Sequence, residues 1–213
     1  MRTTTQYSKP AGRFEPVHDR LVDQIRVAAA GVGIDLPERP FNNALVEIYE
    51  GRYRKMGFHC DQALDLEKGS YIAIVSHYLS GSGELLGGGD NPAVRQLVIK
   101  GKETDERLTV SLDHGSVVLF SLATNARYLH KIVLPGGASE DVRWLGLTMR
   151  LAKSFVEFRN REAYLDGSPL TLADDQQRRQ FYRLRGQENR STDFAYPRLS
   201  YTLSEGDLLR QRE

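Results

Sequence analysis

A series of short segments rich in β-branched, aromatic and leucine residues fills the middle of the chain, from about residue 44 to about residue 151. Segments of this composition that are bounded by turn residues are typical of β-strands. About eight strands within about 110 residues predict an antiparallel sandwich or barrel. The main segments are Leu45–Tyr49, Tyr71–Leu79, Gln96–Lys100, Leu108–Leu112, Val117–Leu122, Ala126–Leu134 and Trp144–Leu151.

The two flanks of this region follow other patterns. Over Pro16–Ala30 the apolar residues recur at helical spacing, and Gly31 suits the exit, so we predict an amphipathic helix that covers the strands. After Lys153 we expect the strands to stop, and Thr171-x-x-Asp174 opens a polar helix. The predicted organisation is a loose arm at 1–14, a β core with its covering helix at 15–153, and a helical or irregular appendage at 154–213.

Composition limits the classes of partner. The chain has 29 Lys and Arg against 28 Asp and Glu, so bulk charge gives no attraction to nucleic acid or to an anionic membrane. Its apolar runs are too short to cross a bilayer and its start lacks an apolar signal core, so we expect a cytoplasmic protein with no membrane partner. The single cysteine, Cys60, fits a reducing compartment. The sequence makes no prediction about the oligomeric state.

The stretch GFHCDQ places His59 and Asp61 one residue apart, just after a predicted strand. A His-x-Asp pair is frequent by chance, so a metal site needs a third ligand. His130 lies on a predicted strand, where it shares a face with Tyr128 and Ile132. Two imidazoles and one carboxylate on neighbouring strands form the facial triad that holds non-haem Fe(II) with coordination positions left open. We favour structural roles for the other histidines, which are His18, His77 and His114.

Three stretches carry a family resemblance: FNNALVEIYEGRYRKMGFHCD, LDHGSVVLFSLATNARYLHKIVLP and LGLTMR. In this order and spacing they resemble the AlkB-type branch of the Fe(II)/2-oxoglutarate dioxygenases over Phe41–Arg150. The resemblance implies a mainly β double-stranded β-helix, or jelly roll, with flanking helices (α+β by count) and with Fe(II) held by His59, Asp61 and His130. It also implies 2-oxoglutarate and O2 as cosubstrates, and oxidative decarboxylation to succinate coupled to substrate hydroxylation. The metal and cosubstrate carry this chemistry, so no side chain is assigned a catalytic role.

The chain departs from that family at positions that bind the cosubstrate. The family has Asn and Tyr on one strand, whereas this chain has Glu47 and Tyr49, and a carboxylate beside a dianionic cosubstrate is repelled unless protonated or paired. Arg150 matches the second of two arginines on the closing strand of the family, but Trp144 occupies the first position. Arg143 reaches the inner face only through a one-residue bulge. The other candidate anchors for the distal carboxylate are Arg127 and Arg52.

Gln62 follows the ligand pair where nucleic-acid-repair members often have an acidic residue. Its amide can hydrogen-bond another amide or a base edge, but it offers no negative charge to a cationic methylated base. Gln62, Trp144 and Tyr128 are the candidate residues of the substrate pocket.

We therefore expect hydroxylation of a C–H bond in a small molecule, amino acid or peptide. Oxidative demethylation of alkylated nucleic acid is the alternative, and a non-catalytic jelly-roll binding module is a third hypothesis. The clusters that favour nucleic acid are Arg52, Arg54 and Lys55 on a turn and Arg178, Arg179, Arg183 and Arg185 on the C-terminal helix.

Overall fold

The computed structural model describes residues 1–53, 56–86, 95–135 and 142–211, so Arg54 and Lys55 of the predicted basic cluster lie outside the described residues. No helix within those ranges is long and apolar enough to cross a bilayer. The helices are α1 (Pro16–Gly31), α2 (Leu122–Arg127), α3 (Asp175–Glu188) and a short 3₁₀ helix, Glu205–Leu208. The strands are β1 (Asn43–Tyr49), β2 (Tyr71–Leu79), β3 (Arg95–Gly101), β4 (Arg107–Leu112), β5 (Ser116–Ser121), β6 (Tyr128–Val133), β7 (Arg143–Arg150), β8 (Val156–Arg159), β9 (Glu162–Leu165), β10 (Ser168–Pro169), β11 (Thr171–Leu172) and β12 (Tyr201–Thr202).

The predicted strands form two sheets in one compact unit, Ala44–Asp61 with Gly69–Arg150. One sheet has the strand order β1-β7-β2-β5 and the other has the order β4-β3-β6. The pairings of β2 with β5 and β7, and of β3 with β4 and β6, are antiparallel. Both sheets contribute to one apolar core, so they form the predicted jelly roll. Its buried residues are Tyr49, Ile74, Tyr78, Leu97, Leu112, Ile132 and Trp144.

A short helix precedes the strand that carries the third predicted metal ligand. The hydroxyl of Ser121 accepts a hydrogen bond from the backbone N–H of Thr124 at 3.0 Å and caps the N-terminus of α2. The helix continues through Arg127, so the predicted strand start at Ala126 was wrong by two residues. Local capping overrode the apolar pattern there, and the helix places Asn125 in the protein interior, 3 % exposed.

The second compact unit joins both chain ends, since it comprises Met1–Asn43, Gln62–Lys68 and Leu151–Glu213. It contains α1, α3, the sheet β10-β9-β8 and the parallel pair of β11 with β12. Its larger apolar core consists of Leu64, Ala173, Phe181, Leu184, Leu199, Tyr201 and Leu203. This division differs from the predicted one, which treated the two chain ends as separate segments.

The N-terminal arm is not loose as predicted. The Arg2 guanidinium forms a buried ion pair with Asp65 at 2.6 Å and donates to the carbonyl of Leu199 at 2.6 Å. Further along the arm, the hydroxyl of Ser204 donates to the carbonyl of Thr5 at 2.9 Å. These bonds connect the arm to distant parts of the chain, which the local sequence pattern does not show.

The region after Lys153 also differs from the prediction, because β8 to β11 follow it. These strands have two to four residues each, too few to show a clear apolar alternation. Thr171 lies in β11 and does not open the predicted helix. Asp174 caps α3 instead, since its carboxylate accepts from the backbone N–H of Gln177 at 2.8 Å and the Gln177 side chain accepts from Asp174 N–H.

Candidate metal centre

His59 and His130 face each other across an antiparallel bridge. The backbone N–H of each residue donates to the carbonyl of the other, at 3.0 and 2.7 Å. Directly opposed residues of an antiparallel pair project to the same side. His130 shares the inner face of β6 with the core residue Ile132, so both imidazoles lie on the inner side of the jelly roll. Their ring centroids are 4.7 Å apart.

Asp61 completes the predicted cluster, because it follows His59 by two residues in extended chain and therefore projects the same way. One ligand atom from each of His59, Asp61 and His130 lies within 4.8 Å of the others. His59 Nδ1 lies 3.0 Å from the carbonyl of Gly57, a contact that suits an Nδ1–H tautomer and leaves Nε2 for a metal. Two nitrogen donors and one carboxylate are the donor set of the non-haem Fe(II) facial triad, so the residues fit the implied metal.

Asn125, at the end of α2, holds the backbone of Asp61 at two points. Its side-chain oxygen accepts from the N–H of Asp61 at 2.7 Å, and its amide nitrogen donates to the carbonyl of Asp61 at 2.8 Å. Both bonds are buried, which makes them hard to replace by water. Asn125 therefore fixes the direction in which Asp61 presents its carboxylate. Sequence reasoning missed it, because a single asparagine within an apolar stretch gives no metal-site signal.

Arg150 holds the carboxylate of Asp61 itself. Its Nε and Nη2 atoms both donate to Asp61 Oδ2 at 2.7 Å, while His130 Nε2 lies 3.5 Å from Oδ1. Burial raises the pKa of Asp61, but the charge of Arg150 and the hydrogen bond from His130 outweigh burial and hold the pKa well below its ordinary value. Asp61 is therefore ionised at neutral pH, as a metal ligand must be.

The register of β7 decides which side chains of the closing strand face the metal. Its pairing with β2 runs without interruption from Ile72 opposite Arg150 to Leu79 opposite Arg143, so there is no bulge in this strand. Trp144 and Arg150 therefore share the inner face, and Arg143 projects to the other face. Arg143 donates to the carbonyls of Ser80 and Gly81 at 3.3 Å. The strand therefore lacks the bulge through which Arg143 would reach the inner face.

Glu47 and Tyr49 lie together on β1, as predicted, and no arginine of the described residues bonds to Glu47. The Tyr49 hydroxyl donates to the Glu47 carboxylate at 2.8 Å. Burial, followed by the charge of Glu47, raises the pKa of Tyr49 well above its ordinary value, so its hydroxyl stays protonated. Glu47 thus has a neutral donor as its partner, and the Tyr49 ring packs at a tilt against Trp144 with ring centroids 5.0 Å apart.

The remaining predicted residues have different surroundings. Gln62 is 8 % exposed, and neither polar atom of its amide has a hydrogen-bond partner among the described residues. Tyr128 lies two residues before His130 and donates to the Glu106 carboxylate at 2.7 Å on the exposed side. Of the alternative anchors, Arg52 is exposed and pairs with Glu50 at 2.7 Å, and Arg127 is also exposed. Neither Arg52 nor Arg127 has the burial of an internal anchor.

A jelly roll with a His-Asp-His cluster on its inner side defines the class of non-haem Fe(II) oxygenases. Residues 1–150 match the model of the 2OG-Fe(II) oxygenase superfamily. The chain belongs to that superfamily, so it is an Fe(II)/2-oxoglutarate-dependent dioxygenase that uses Fe(II), 2-oxoglutarate and O2.

Comparison with solved structures finds proteins with low overall similarity. A prolyl-4-hydroxylase of Pseudomonas putida has a TM-score of 0.37 and 16 % identity, and the match covers 66 % of this chain and 70 % of that one. A prolyl 4-hydroxylase from Phytophthora capsici has a TM-score of 0.37 and 19 % identity, with 83 % of this chain and 54 % of that one covered. No curated protein sequence matches.

Proposed function

We propose that this dioxygenase hydroxylates a C–H bond of a small molecule, amino acid or peptide, and that it lies in the AlkB-type branch of the superfamily. The observation that carries the reaction class is the buried cluster of His59, Asp61 and His130, with Arg150 paired to the aspartate. The branch assignment rests on the three sequence stretches that end at Asp61, at Pro135 just after the strand that carries His130, and at Arg150.

The residues of this chain bind, orient and shield the reactants. When bound, Fe(II) and 2-oxoglutarate supply the O2 activation that hydroxylation requires. His59, Asp61 and His130 would hold the metal, and the two-point hold of Asn125 keeps the aspartate in place. Arg150 contributes a positive charge beside the metal, where it offsets the carboxylates that gather there. Core residues such as Ile132 and Trp144 line the interior and exclude water from it.

Nucleic acid remains the alternative substrate class. We rank it second, because arginines of the predicted basic clusters are paired with acidic side chains. Arg185 of the proposed basic cluster is largely buried and forms an ion pair with Glu188 at 2.6 Å, so it is not a phosphate ligand on the surface. Arg52 pairs with Glu50. Gln62 has an uncharged amide where a cationic methylated base requires a negative group.

The test is a turnover screen. Purified protein with Fe(II), 2-oxoglutarate and O2 is incubated with pooled amino acids, peptides and metabolites, and in parallel with methylated oligonucleotides, and succinate is measured against a substrate-free control. We expect a rise above that background with a small molecule or peptide pool. Formaldehyde release from the oligonucleotides, with no response to the other pools, would make nucleic-acid demethylation the function.

A further inference from the structure

Three unpaired polar atoms lie on the inner wall of the jelly roll, apart from the metal ligands. Ser76 of β2 stands opposite Ser116 of β5 and opposite Gly146 of β7. The hydroxyls of Ser76 and Ser116 and the indole nitrogen of Trp144 are buried, and they have no hydrogen-bond partner within the described part of the chain. A buried polar group without a partner costs free energy, so three of them together point to a ligand that supplies partners.

These atoms project into the same interior as the metal ligands. Ser76 alternates with the core residues Ile74 and Tyr78, so it shares their inward face, and Trp144 belongs to that core. The Trp144 ring lies over Gly146, since a Cβ added to Gly146 would lie 2.0 Å from it. Only glycine leaves room for the ring there. The ring therefore lies against the Gly146 end of the row of Ser116, Ser76 and Gly146. We call this row, together with Trp144, the inner-wall niche.

The distance from this niche to the metal end suits a cosubstrate that is bound at the metal. Arg150, whose side chain bonds Asp61, lies four positions after Gly146 on β7, which is about 13 Å along the strand. A metal–ligand bond of about 2 Å, an extended five-carbon acid of about 6 Å and a hydrogen bond of about 3 Å together cover most of that span.

We propose that the inner-wall niche receives the distal carboxylate of 2-oxoglutarate through neutral hydrogen-bond donors, namely the Trp144 indole N–H and the hydroxyls of Ser76 and Ser116. This inference rests on the proposed function and deepens it. A guanidinium occupies the corresponding position in the family that the sequence resembles, and here Trp144 stands in its place. Arg143 does not substitute for it, because it projects to the other face of the sheet and bonds to carbonyls there.

A buried cation lies beside Tyr49, the ring that packs against Trp144 of the niche. Arg95 is 1 % exposed, and its Cζ lies 5.4 Å from the centre of the Tyr49 ring, which in turn packs at a tilt against Trp144. Its Nη atoms donate to the carbonyls of Tyr53 at 2.6 Å and Glu50 at 2.8 Å. Tyr49 thus lies between Arg95 and Trp144, and Arg95 acts on the niche through its electric field. The distal group is therefore recognised mainly by hydrogen bonds and only weakly by charge.

Three 2-oxo compounds with the same metal-binding end distinguish recognition by hydrogen bonds from recognition by charge. Anaerobic protein with Fe(II) is titrated with 2-oxoglutarate, with its 5-methyl ester, and with 2-oxopentanoate, which has a methyl group in place of the distal carboxylate. Binding is followed by the visible absorption of the iron-bound 2-oxo acid and by the emission of Trp144, the single tryptophan of the chain. We expect the ester to bind within about tenfold of 2-oxoglutarate and 2-oxopentanoate to bind about tenfold more weakly than the ester, as neutral hydrogen bonds predict. An ester more than about a hundredfold weaker than 2-oxoglutarate would indicate a cationic anchor and overturn the proposal.

Two variants and a matched control identify the donors. Trp144→Phe keeps a ring of similar shape without the N–H, and Ser76→Ala removes one hydroxyl. Each should lower the 2-oxoglutarate affinity about tenfold and leave the 2-oxopentanoate affinity unchanged. Arg143→Gln should change neither affinity. Full 2-oxoglutarate affinity in both niche variants, or a larger loss in Arg143→Gln, would contradict the assignment. If none of the 2-oxo acids binds the wild-type iron protein, the proposed function itself fails, and this inference fails with it.

Discussion

At the scale of single residues, the centre depends on how firmly Asp61 is held. Asn125 bonds its backbone from one side, and Arg150 bonds its carboxylate from the other. The two histidines and the aspartate could be predicted from the sequence, because the motif and the third strand are regular and the spacing is a family feature. Asn125 could not be predicted, since its role depends on a helix that folds back onto residue 61. The sequence left open whether a bulge turns Arg143 inward, because only the strand register tells which of two adjacent side chains faces inward.

Removing the Asn125 side chain should loosen Asp61 and weaken the metal site. We expect Asn125→Ala to lower Fe(II) affinity about 10- to 100-fold, the usual effect of losing a group that orients a ligand. Isothermal titration under anaerobic conditions measures this loss.

Asn42 provides a control with the same chemistry. Its side chain also holds one backbone residue at two points, donating to the carbonyl of Ala152 at 2.9 Å and accepting from its N–H at 2.7 Å. Asn42→Ala should lower the melting temperature but leave Fe(II) affinity unchanged. Equal iron affinities in Asn125→Ala and wild type would show that Asn125 has only a structural role.

At the scale of secondary-structure elements, the long strands were predictable and the short ones were not. β2 matched its predicted bounds, because a run of nine mostly apolar and aromatic residues leaves little ambiguity. The strands β8 to β11 are too short to show a period. Helix α3 was predicted, but the residues that it packs against were not. Its Glu188 is a buried acid with several hydrogen-bond partners. The Glu188 carboxylate accepts from the backbone N–H of Ala63 at 2.8 Å and from the Tyr196 hydroxyl at 2.7 Å.

Replacing Glu188 by glutamine should destabilise the unit that contains α3. The ion pair with Arg185 disappears, and an amide NH2 group now faces donors that need an acceptor. We expect Glu188→Gln to lower the free energy of unfolding by about 2 kcal/mol, measured by urea denaturation followed by circular dichroism.

The exposed pair of Glu157 and Arg159 offers the matched comparison, since it has the same 2.6 Å contact but both side chains are more than half exposed. Glu157→Gln should change the free energy of unfolding by less than about 0.5 kcal/mol. Similar losses of unfolding free energy in Glu188→Gln and Glu157→Gln would show that the burial of Glu188 does not strengthen its contribution to stability.

At the scale of the whole molecule, the two chain ends belong to one compact unit, and the buried ion pair of Arg2 and Asp65 is central to it. Burial raises the pKa of Asp65, but the hydrogen bonds and charge of Arg2 outweigh it and hold the pKa below its ordinary value of 3.8. The ionised carboxylate therefore stabilises the folded protein at pH values above 3.8. This contribution is lost as the pH falls from 3.8 through the lower pKa of the folded state. The sequence did not predict this, because a pair separated by 63 residues leaves no local pattern.

Arg2→Ala should leave a buried carboxylate without its cation. We expect a loss of about 3 kcal/mol in unfolding free energy at pH 7. The difference in unfolding free energy between wild type and Arg2→Ala should shrink as the pH falls below about 4. Asp65 then takes up a proton in the unfolded chain, and the ion pair contributes less to the stability of the wild-type protein. Urea denaturation at several pH values measures both effects. A difference that stays constant from pH 7 to pH 3 would mean that packing of the arm, and not the ion pair, stabilises the protein.

The most direct test of the central claim is an anaerobic titration of Fe(II) into the purified protein in the presence of 2-oxoglutarate, followed by visible absorption. We expect about one Fe(II) per chain for the wild-type protein and for the control His18→Ala, whose side chain caps α1. His130→Ala should lose the signal, because it removes one of the three ligands. Wild-type iron binding in His130→Ala, or no binding in the wild-type protein, would contradict the assignment of His59, Asp61 and His130 as the metal centre.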